Sequence, residues 1–372
     1  VTGTGADARF MALALALGAR GQGSCWPNPA VGCVIVKDGR IVGRGWTQPG
    51  GRPHAETEAL AQAGGAAAGA TAYVSLEPCA HHGKTPPCCD ALVAARVGRV
   101  VIALRDPDPR VNGGGVARIR AAGIAVTEGL LADRAEQVHA GFLKRQRAGL
   151  PALTLKLAAS FDGRIATASG ESRWITGPDA RRHVHLMRAR HDAVLVGGGT
   201  ARADDPMLTV RDLGVARQPV RVVASRRLDL PEDGRLAGSA ADVPLWLLHG
   251  ADAPADRIAQ WQARGARCMV VAAGADRQLD PLACLQALGS AGINSVFCEG
   301  GGALAASLLS AGLVDDLIGY SAGVVLGAEG WPAFGAMGLS ALAQAPRFAL
   351  VETRSLGGDV LHHWQRLRNI SA

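Results

Sequence analysis

Lysine is almost absent. Four lysines (Lys37, Lys84, Lys144 and Lys156) stand among thirty-nine basic residues in a chain of 372, so thirty-five of the cations are arginine. Those cations are scattered, and the nearest thing to a cluster, Lys144-Arg145-Gln146-Arg147, has no aromatics between them. Aromatics supply only 4% of the chain. The net charge of +7 and pI of 9.2 therefore do not read as a nucleic-acid surface, which needs a basic stripe or stacking platforms; a small anionic ligand suits them. Long apolar runs are missing too. None reaches the roughly 18 residues of a membrane span. Phe10–Leu17 is too short, has an acidic lead-in and lacks a cleavage-like site, which speaks against a signal peptide. The expectation is a soluble, cytoplasmic protein with neither membrane nor nucleic acid as partner. Five of its eight cysteines (Cys25, Cys33, Cys268, Cys284 and Cys298) sit in apolar or mixed surroundings, as reduced core thiols do.

What is present points to α/β architecture. Hydrophobic residues reach 48%, so Ala, Val and Leu must fill the cores, and 49 glycines suit many tight strand–helix turns. The length favours two domains. Residues 7–20 carry helical spacing, and Val31–Val36 and Ile41–Trp46 flank Asp38-Gly39 as a hairpin. A helix starts at His54, strands follow at Thr71–Leu76, Val100–Leu104 and Ile124–Thr127, helices at Cys89–Val97 and after Gly113-Gly114-Gly115, and a single helix over Asp133–Arg147 ends the first unit. Ala148-Gly149-Leu150-Pro151 breaks the pattern, which predicts domains over 1–148 and 149–372. Beyond it, strands are expected at Leu153–Ala158, Ala193–Val196, Val220–Ala224, Pro244–Leu248, Cys268–Ala272, Ser295–Cys298 and Asp316–Tyr320, with a closing hairpin over Phe348–Thr353 and Val360–Gln365. Helices are expected over Asp179–Arg190, Ala255–Arg264, Leu282–Ala291 and Ala303–Ala311.

Chemistry concentrates in His54-Ala55-Glu56, Glu77-Pro78-Cys79 and Pro86-Pro87-Cys88. One imidazole and two thiolates suit Zn²⁺ and leave its fourth position to water, while a glutamate off the metal can move protons. Cys79 and Cys88 are expected near helix N-termini, where exposed N–H groups lower a thiol pKa. Cys89 competes with Cys88 on spacing alone, and His81-His82 could in principle ligate; Cys88 is preferred, with the two histidines lining the pocket. Glu77 reads as a supporting residue and Glu58 as a solvated carboxylate. In the second half, Gly197-Gly198-Gly199-Thr200 and Glu299-Gly300-Gly301-Gly302 each follow a buried strand, a pairing that suits a dinucleotide better than either loop alone.

These motifs, with the upstream Pro27-Asn28-Pro29-Ala30-Val31-Gly32-Cys33, resemble the deaminase half of the bifunctional riboflavin-biosynthesis deaminase/reductase family, whose pattern includes the Ala80–Pro87 insertion. Lys156–Gly163, Gly170–Thr176, Gly199–Pro206 and Glu299-Gly300-Gly301 are similar to its reductase half, so the resemblance covers nearly the whole chain. It implies a cytidine-deaminase-like three-layer domain followed by a dihydrofolate-reductase-like domain, both α/β, with Zn²⁺ and NADPH as cofactors. The implied zinc ligands are His54, Cys79 and Cys88, with Glu56 as proton shuttle. The implied NADPH contacts are Ala158, Trp174, Thr200, Asp204, Ser225 and the run Gly301, Gly302, Ala303, Leu304, Ala305, Ala306 and Ser307. Substrate contacts would be Ser172, Arg188, Leu208, Arg211 and Glu299. The implied substrate is a phosphorylated pyrimidine, deaminated and then reduced at its ribosyl group, in a homodimeric enzyme. The segment Val222-Val223-Ala224-Ser225-Arg226-Arg227 lacks the aspartate that the resemblance leads one to expect around this strand end.

Lys156 stands apart on its own grounds. A strand lysine in so lysine-poor a chain predicts a site where arginine would not serve, polarising or protonating the reacting sugar, paired with Glu299. Two other readings make different demands. A nucleoside or nucleic-acid deaminase with an unrelated tail would bind no NADPH, and a zinc-stabilised binding module would be indifferent to loss of Glu56.

Overall fold

A computed structural model describes residues 5–83, 85–274 and 277–367. The chain forms two compact units that meet in sequence at Gly149/Leu150. The first runs α1 (Gly5–Gly18), β1 (Gly32–Lys37), β2 (Arg40–Trp46), α2 (Ala55–Ala63), β3 (Thr71–Val74), α3 (Cys88–Ala94), β4 (Arg99–Ile102), α4 (Gly114–Ala121), β5 (Ala125–Glu128), α5 (Ala132–Val138) and α6 (Ala140–Ala148). Its sheet has the order β2-β1-β3-β4-β5, with β3, β4 and β5 parallel and β1 antiparallel to both neighbours. Strand alternation sends Cys33, Ile35, Ala72, Val74, Val100 and Ile102 to one core, with Ala55 and Ala59 of α2, Leu92 of α3 and Ile119 of α4. Val34, Val36, Tyr73 and Val101 go to the other, under Phe10, Met11 and Leu15 of α1. That is a three-layer sandwich. A helix can lie on β2 this closely only because a Cβ at Gly43 would meet the Ala59 carbonyl, and one at Gly45 would stand 2.5 Å from the Ala55 carbonyl.

The second unit comprises β6 (Ala152–Ser160), β7 (Arg164–Ala166), α7 (Pro178–Ala189), β8 (Ala193–Gly197), α8 (Gly198–Asp204), β9 (Val220–Ala224), α9 (Arg235–Gly238), β10 (Leu245–His249), α10 (Ala255–Ala263), β11 (Arg267–Val270), α11 (Pro281–Ser290), β12 (Ser295–Cys298), α12 (Gly302–Ser310), β13 (Asp316–Ala322), β14 (Trp331–Pro332), β15 (Phe348–Leu356) and β16 (Asp359–Arg366). Nine strands share one sheet in the order β11-β10-β9-β8-β12-β6-β13-β16-β15. From β11 to β13 they are parallel and mostly buried; β16 and β15 add an antiparallel edge. After β8 the chain passes to β9 on one side, and after β12 it passes to β13 on the other. The carboxyl ends of these two neighbours thus flank a topological switch point, where open α/β sheets bind ligands.

The expected elements are found to within a few residues, whereas the short β7, α9 and β14 were not expected, and three expectations are modified. The expected helix 133–147 is two helices, because His139 leaves the helical path at φ −97°, ψ 8° and turns its buried ring to Ser75 Oγ at 3.2 Å. Gly198 and Gly199, expected in a loop, begin α8. The strand expected to reach Leu76 ends at Val74.

Candidate active sites

In the first unit His54 is the residue before α2 and Glu56 lies in its first turn. Cys79 follows β3 in a loop, and Cys88 is the first residue of α3. Their ligand atoms converge: His54 Nδ1 lies 3.3 Å from Cys88 Sγ and 3.7 Å from Cys79 Sγ, and the candidate ligand atoms of the three all fall within 4.8 Å of one another. The set of one imidazole nitrogen and two sulfurs, compact and partly open, fits zinc. The Asn28 side-chain amide, 3.4 Å from Nε2, stands on the other side of the His54 ring and also donates to the Gly51 carbonyl at 2.8 Å. In the sequence Asn28 stood out only as part of the Pro27-Asn28-Pro29 motif.

Cys89 points away. Its side chain is fully buried in the core cluster, with Sγ 3.4 Å from Asp90 Oδ1, so Cys88 is the converging cysteine. His82 is exposed and His81 half-buried, and neither joins the cluster. The two thiols do not behave alike. Cys79 accepts from the Cys88 thiol, from His54 and from the Cys88 backbone N–H at the start of α3, and is lowered to about 4. Cys88 is raised, first by that same bond with Cys79 and then by burial, contrary to the expectation for a helix N-terminus. His54 is raised, chiefly by its bond to Cys79.

Glu56 is only 3% exposed, and burial followed by the Cys79 charge raises its carboxyl above the ordinary range. A buried carboxyl beside three metal-type ligands holds a proton more readily than an exposed one, which suits it to proton transfer. Glu77 has the supporting role expected: Oε2 accepts from Gly113 N at 3.0 Å and Oε1 from Val116 N at 3.1 Å, tying the Pro78-Cys79 turn to the start of α4. Gly115 lets that helix pass directly over the Pro78 carbonyl. Asp106, which the sequence did not single out, is buried and raised to about 7, by burial first, with charges from Asp108, Glu77 and Cys79 adding to it.

In the second unit, Lys156 and Ala158 share one face of β6. Because Cys298 pairs with Leu155, Glu299 emerges beside Lys156. Burial lowers the Lys156 ammonium, against the opposing charges of Glu299 and Asp204. The firmer partner of Glu299 is Arg188 on α7, which grips both oxygens at 2.5 and 3.0 Å and donates to the Thr209 carbonyl at 2.8 Å. Burial pushes the Glu299 carboxyl up, but Arg188, then Lys156, outweigh it and hold it below the ordinary value. The two glycine loops stand side by side at the switch point, bridged by Gly301 N donating to Thr200 Oγ1 at 3.1 Å. Backbone groups, a hydroxyl and the open start of α12 fit a dinucleotide's phosphates.

The remaining candidates divide. Ala305 N already bonds the Gly301 carbonyl, Gly301 N is taken by Thr200, and the Ala305 and Ala306 side chains are buried, so Gly302, Ala303 and Leu304 in the first turn of α12 are better placed than the rest of that run. Ser307 is exposed. Ser225, at the end of β9, donates to Asp229 Oδ1 at 3.0 Å. Trp174 is 69% exposed, with the Arg181 guanidinium 4.6 Å above its ring. Asp204 ends α8, its backbone carbonyl accepting from Arg173 at 2.8 Å, and Ser172 is half-buried. Leu208 is 2% exposed in a core cluster, leaving only its backbone for a ligand, and Arg211 is exposed.

Comparison with known proteins adds three findings. Residues 4–104 match the family described as the cytidine and deoxycytidylate deaminase zinc-binding region, and residues 151–362 match the RibD C-terminal domain. The riboflavin biosynthesis protein RibD of Escherichia coli K12 is 46% identical over 369 residues, covering 96% of this chain and 98% of its own. Among solved structures, Acinetobacter baumannii RibD is similar with a TM-score of 0.87 at 40% identity, over 98% of this chain and 99% of that one. A diaminohydroxyphosphoribosylaminopyrimidine deaminase/5-amino-6-(5-phosphoribosylamino)uracil reductase from Thermotoga maritima gives 0.84 at 33%, over 97% and 99%.

Proposed function

The chain belongs to the RibD family of bifunctional riboflavin-biosynthesis enzymes, and on that premise we propose how its residues divide the work. It is a zinc-dependent deaminase and an NADPH-dependent reductase, acting on 2,5-diamino-6-(5-phosphoribosylamino)pyrimidin-4(3H)-one and then on the ribosyl side chain of the deaminated product. Residues 1–148 carry the first reaction and residues 149–372 the second. His54, Cys79 and Cys88 hold the metal. Zinc when bound supplies a water acidic enough to attack near neutral pH. Glu56 takes the proton from the attacking water on a carboxylate oxygen and passes it to the departing amine, and burial, which raises its carboxyl, helps it to keep that proton until transfer. Glu77 and Asn28 position the cysteine loop and the imidazole.

In the second unit NADPH supplies the hydride. Ala158, Trp174, Thr200, Asp204, Ser225 and the start of α12 bind the dinucleotide. Ser172, Arg188, Glu299, Arg211 and the Leu208 backbone bind the substrate. Lys156 holds the sugar oxygen and gives it a proton, which its burial-lowered pKa favours. The enzyme works as a homodimer in the cytoplasm. The long exposed edge of β15 supports the first point, and eight free cysteines, of which six are buried, support the second.

The observation that carries the reading is the convergence of His54 Nδ1 and two sulfurs beside the buried Glu56. Glu56→Gln tests it. The variant should retain zinc by elemental analysis yet lose about 10²–10⁴-fold in deamination, the usual contribution of a general acid–base group. Near-normal turnover would refute the assignment.

A further inference from the structure

We propose that Arg202 is the residue that selects the 2′-phosphate of the dinucleotide, and hence NADPH over NADH; this rests on the cofactor reading above. Across the sheet the cofactor and substrate elements fall in a fixed order. β6 carries Lys156, β12 leads to Glu299, β8 leads to Thr200, and β9 ends at Ser225. The hydride-donating end must lie with the substrate, at Lys156, Glu299 and Arg188. The phosphates then span Gly301 and Thr200, and the adenosine half reaches beyond β8, over the carboxyl end of β9.

That end is shaped around a missing side chain. A Cβ at Gly198 would stand 3.0 Å from Ser225 Oγ and 3.3 Å from Arg202 Nη1, so Arg202 folds back from its own position in α8 into space that Gly198 leaves open. There its guanidinium contacts Asp229, at 2.9 Å to Oδ2 and 3.1 Å to the backbone carbonyl, while Ser225 holds Oδ1. The two side chains are 47% and 52% exposed, and an ion pair so open to water contributes little. It can be exchanged for a stronger one. A phosphate dianion offers Arg202 a bidentate, charge-assisted partner, whereas the ribose hydroxyl of NADH offers no charge to draw it from Asp229. The surroundings favour the exchange. Arg226 pairs with Asp252 and Arg257 donates to the Arg227 carbonyl, so further guanidinium groups stand along the same loop.

Calorimetric titration of the full-length, zinc-loaded protein tests the assignment with two probes that differ only in the group at issue, adenosine 2′,5′-bisphosphate and adenosine 5′-monophosphate. The wild type should prefer the bisphosphate. Arg202→Gln should lower bisphosphate affinity about tenfold or more, the usual worth of a charge-assisted hydrogen bond, with monophosphate affinity unchanged as the sign that the site still folds. Arg202→Lys should keep part of the preference. A preference undiminished in Arg202→Gln, or equal weakening of both probes, would overturn the assignment alone. A wild type blind to the 2′-phosphate would overturn the cofactor reading and the assignment with it.

Discussion

Lys156 shows what one side chain can reveal. Among thirty-nine basic residues it is one of four lysines, and it lies on the strand beside Glu299, with its amine lowered by burial. Arginine cannot take that role, because its guanidinium stays charged and gives up no proton near neutral pH. Lys156→Arg should therefore reduce the reductase rate by about 10²-fold, in the range of a lost acid–base group, with NADP⁺ binding kept in titration. Full turnover would rule out the proton role. His139 makes a different residue-scale prediction. It is fully enclosed, and burial lowers it from 6.5 to about 4. The unfolded chain thus binds the extra proton between those values, so the contribution is intact above pH 6.5 and is lost as pH falls toward 4. Between pH 7 and 5 the loss is about 2 kcal/mol. Urea unfolding of the wild type and His139→Gln at both pH values should show a smaller drop in the variant.

At the scale of elements, α2 is the piece that matters most, since it presents both His54 and Glu56. Its position depends on β2 having no side chains at Gly43 and Gly45. Gly45→Ala would set a methyl 2.5 Å from the Ala55 carbonyl and against Glu58, one turn from the ligands. The helix must shift by a few tenths of an ångström or more. The expected outcome is reduced zinc content and deaminase rate with an unaltered reductase rate, read from metal analysis and the two assays. Most elements were legible because strands buried on both faces read as short continuous apolar runs between turn residues, while the helices keep a 3.6-residue spacing. The break between α5 and α6 was not, because it follows from a bond between His139 and Ser75, 64 residues away. The start of α8 at two glycines was hidden for a related reason: local propensity disfavours a helix there, and packing decides otherwise.

For the whole molecule, the open question of partners narrows to β15. This nine-residue strand closes the large sheet, almost every position is exposed, and Leu350 and Val351 are 54% and 55% exposed. An edge of that length left bare invites pairing, so a second copy of the chain is its expected cover. Val351→Lys should shift the species seen in sedimentation from dimer to monomer. A wild type that sediments as a monomer would remove the proposal. No helix among the described residues is long and apolar enough to cross a membrane.

Ligand type, the His-Ala-Glu spacing and the hydrophobic period are properties of the chain read locally, so a candidate zinc site and two α/β units were legible from the sequence by itself. Only the tertiary structure decided between Cys88 and Cys89, since adjacent residues at the start of a helix point in different directions and one of them is spent on the core. Only it turned Glu299 toward Arg188 more firmly than toward Lys156, and set two glycine loops a hundred residues apart side by side. Those are consequences of strand order, which no local pattern encodes.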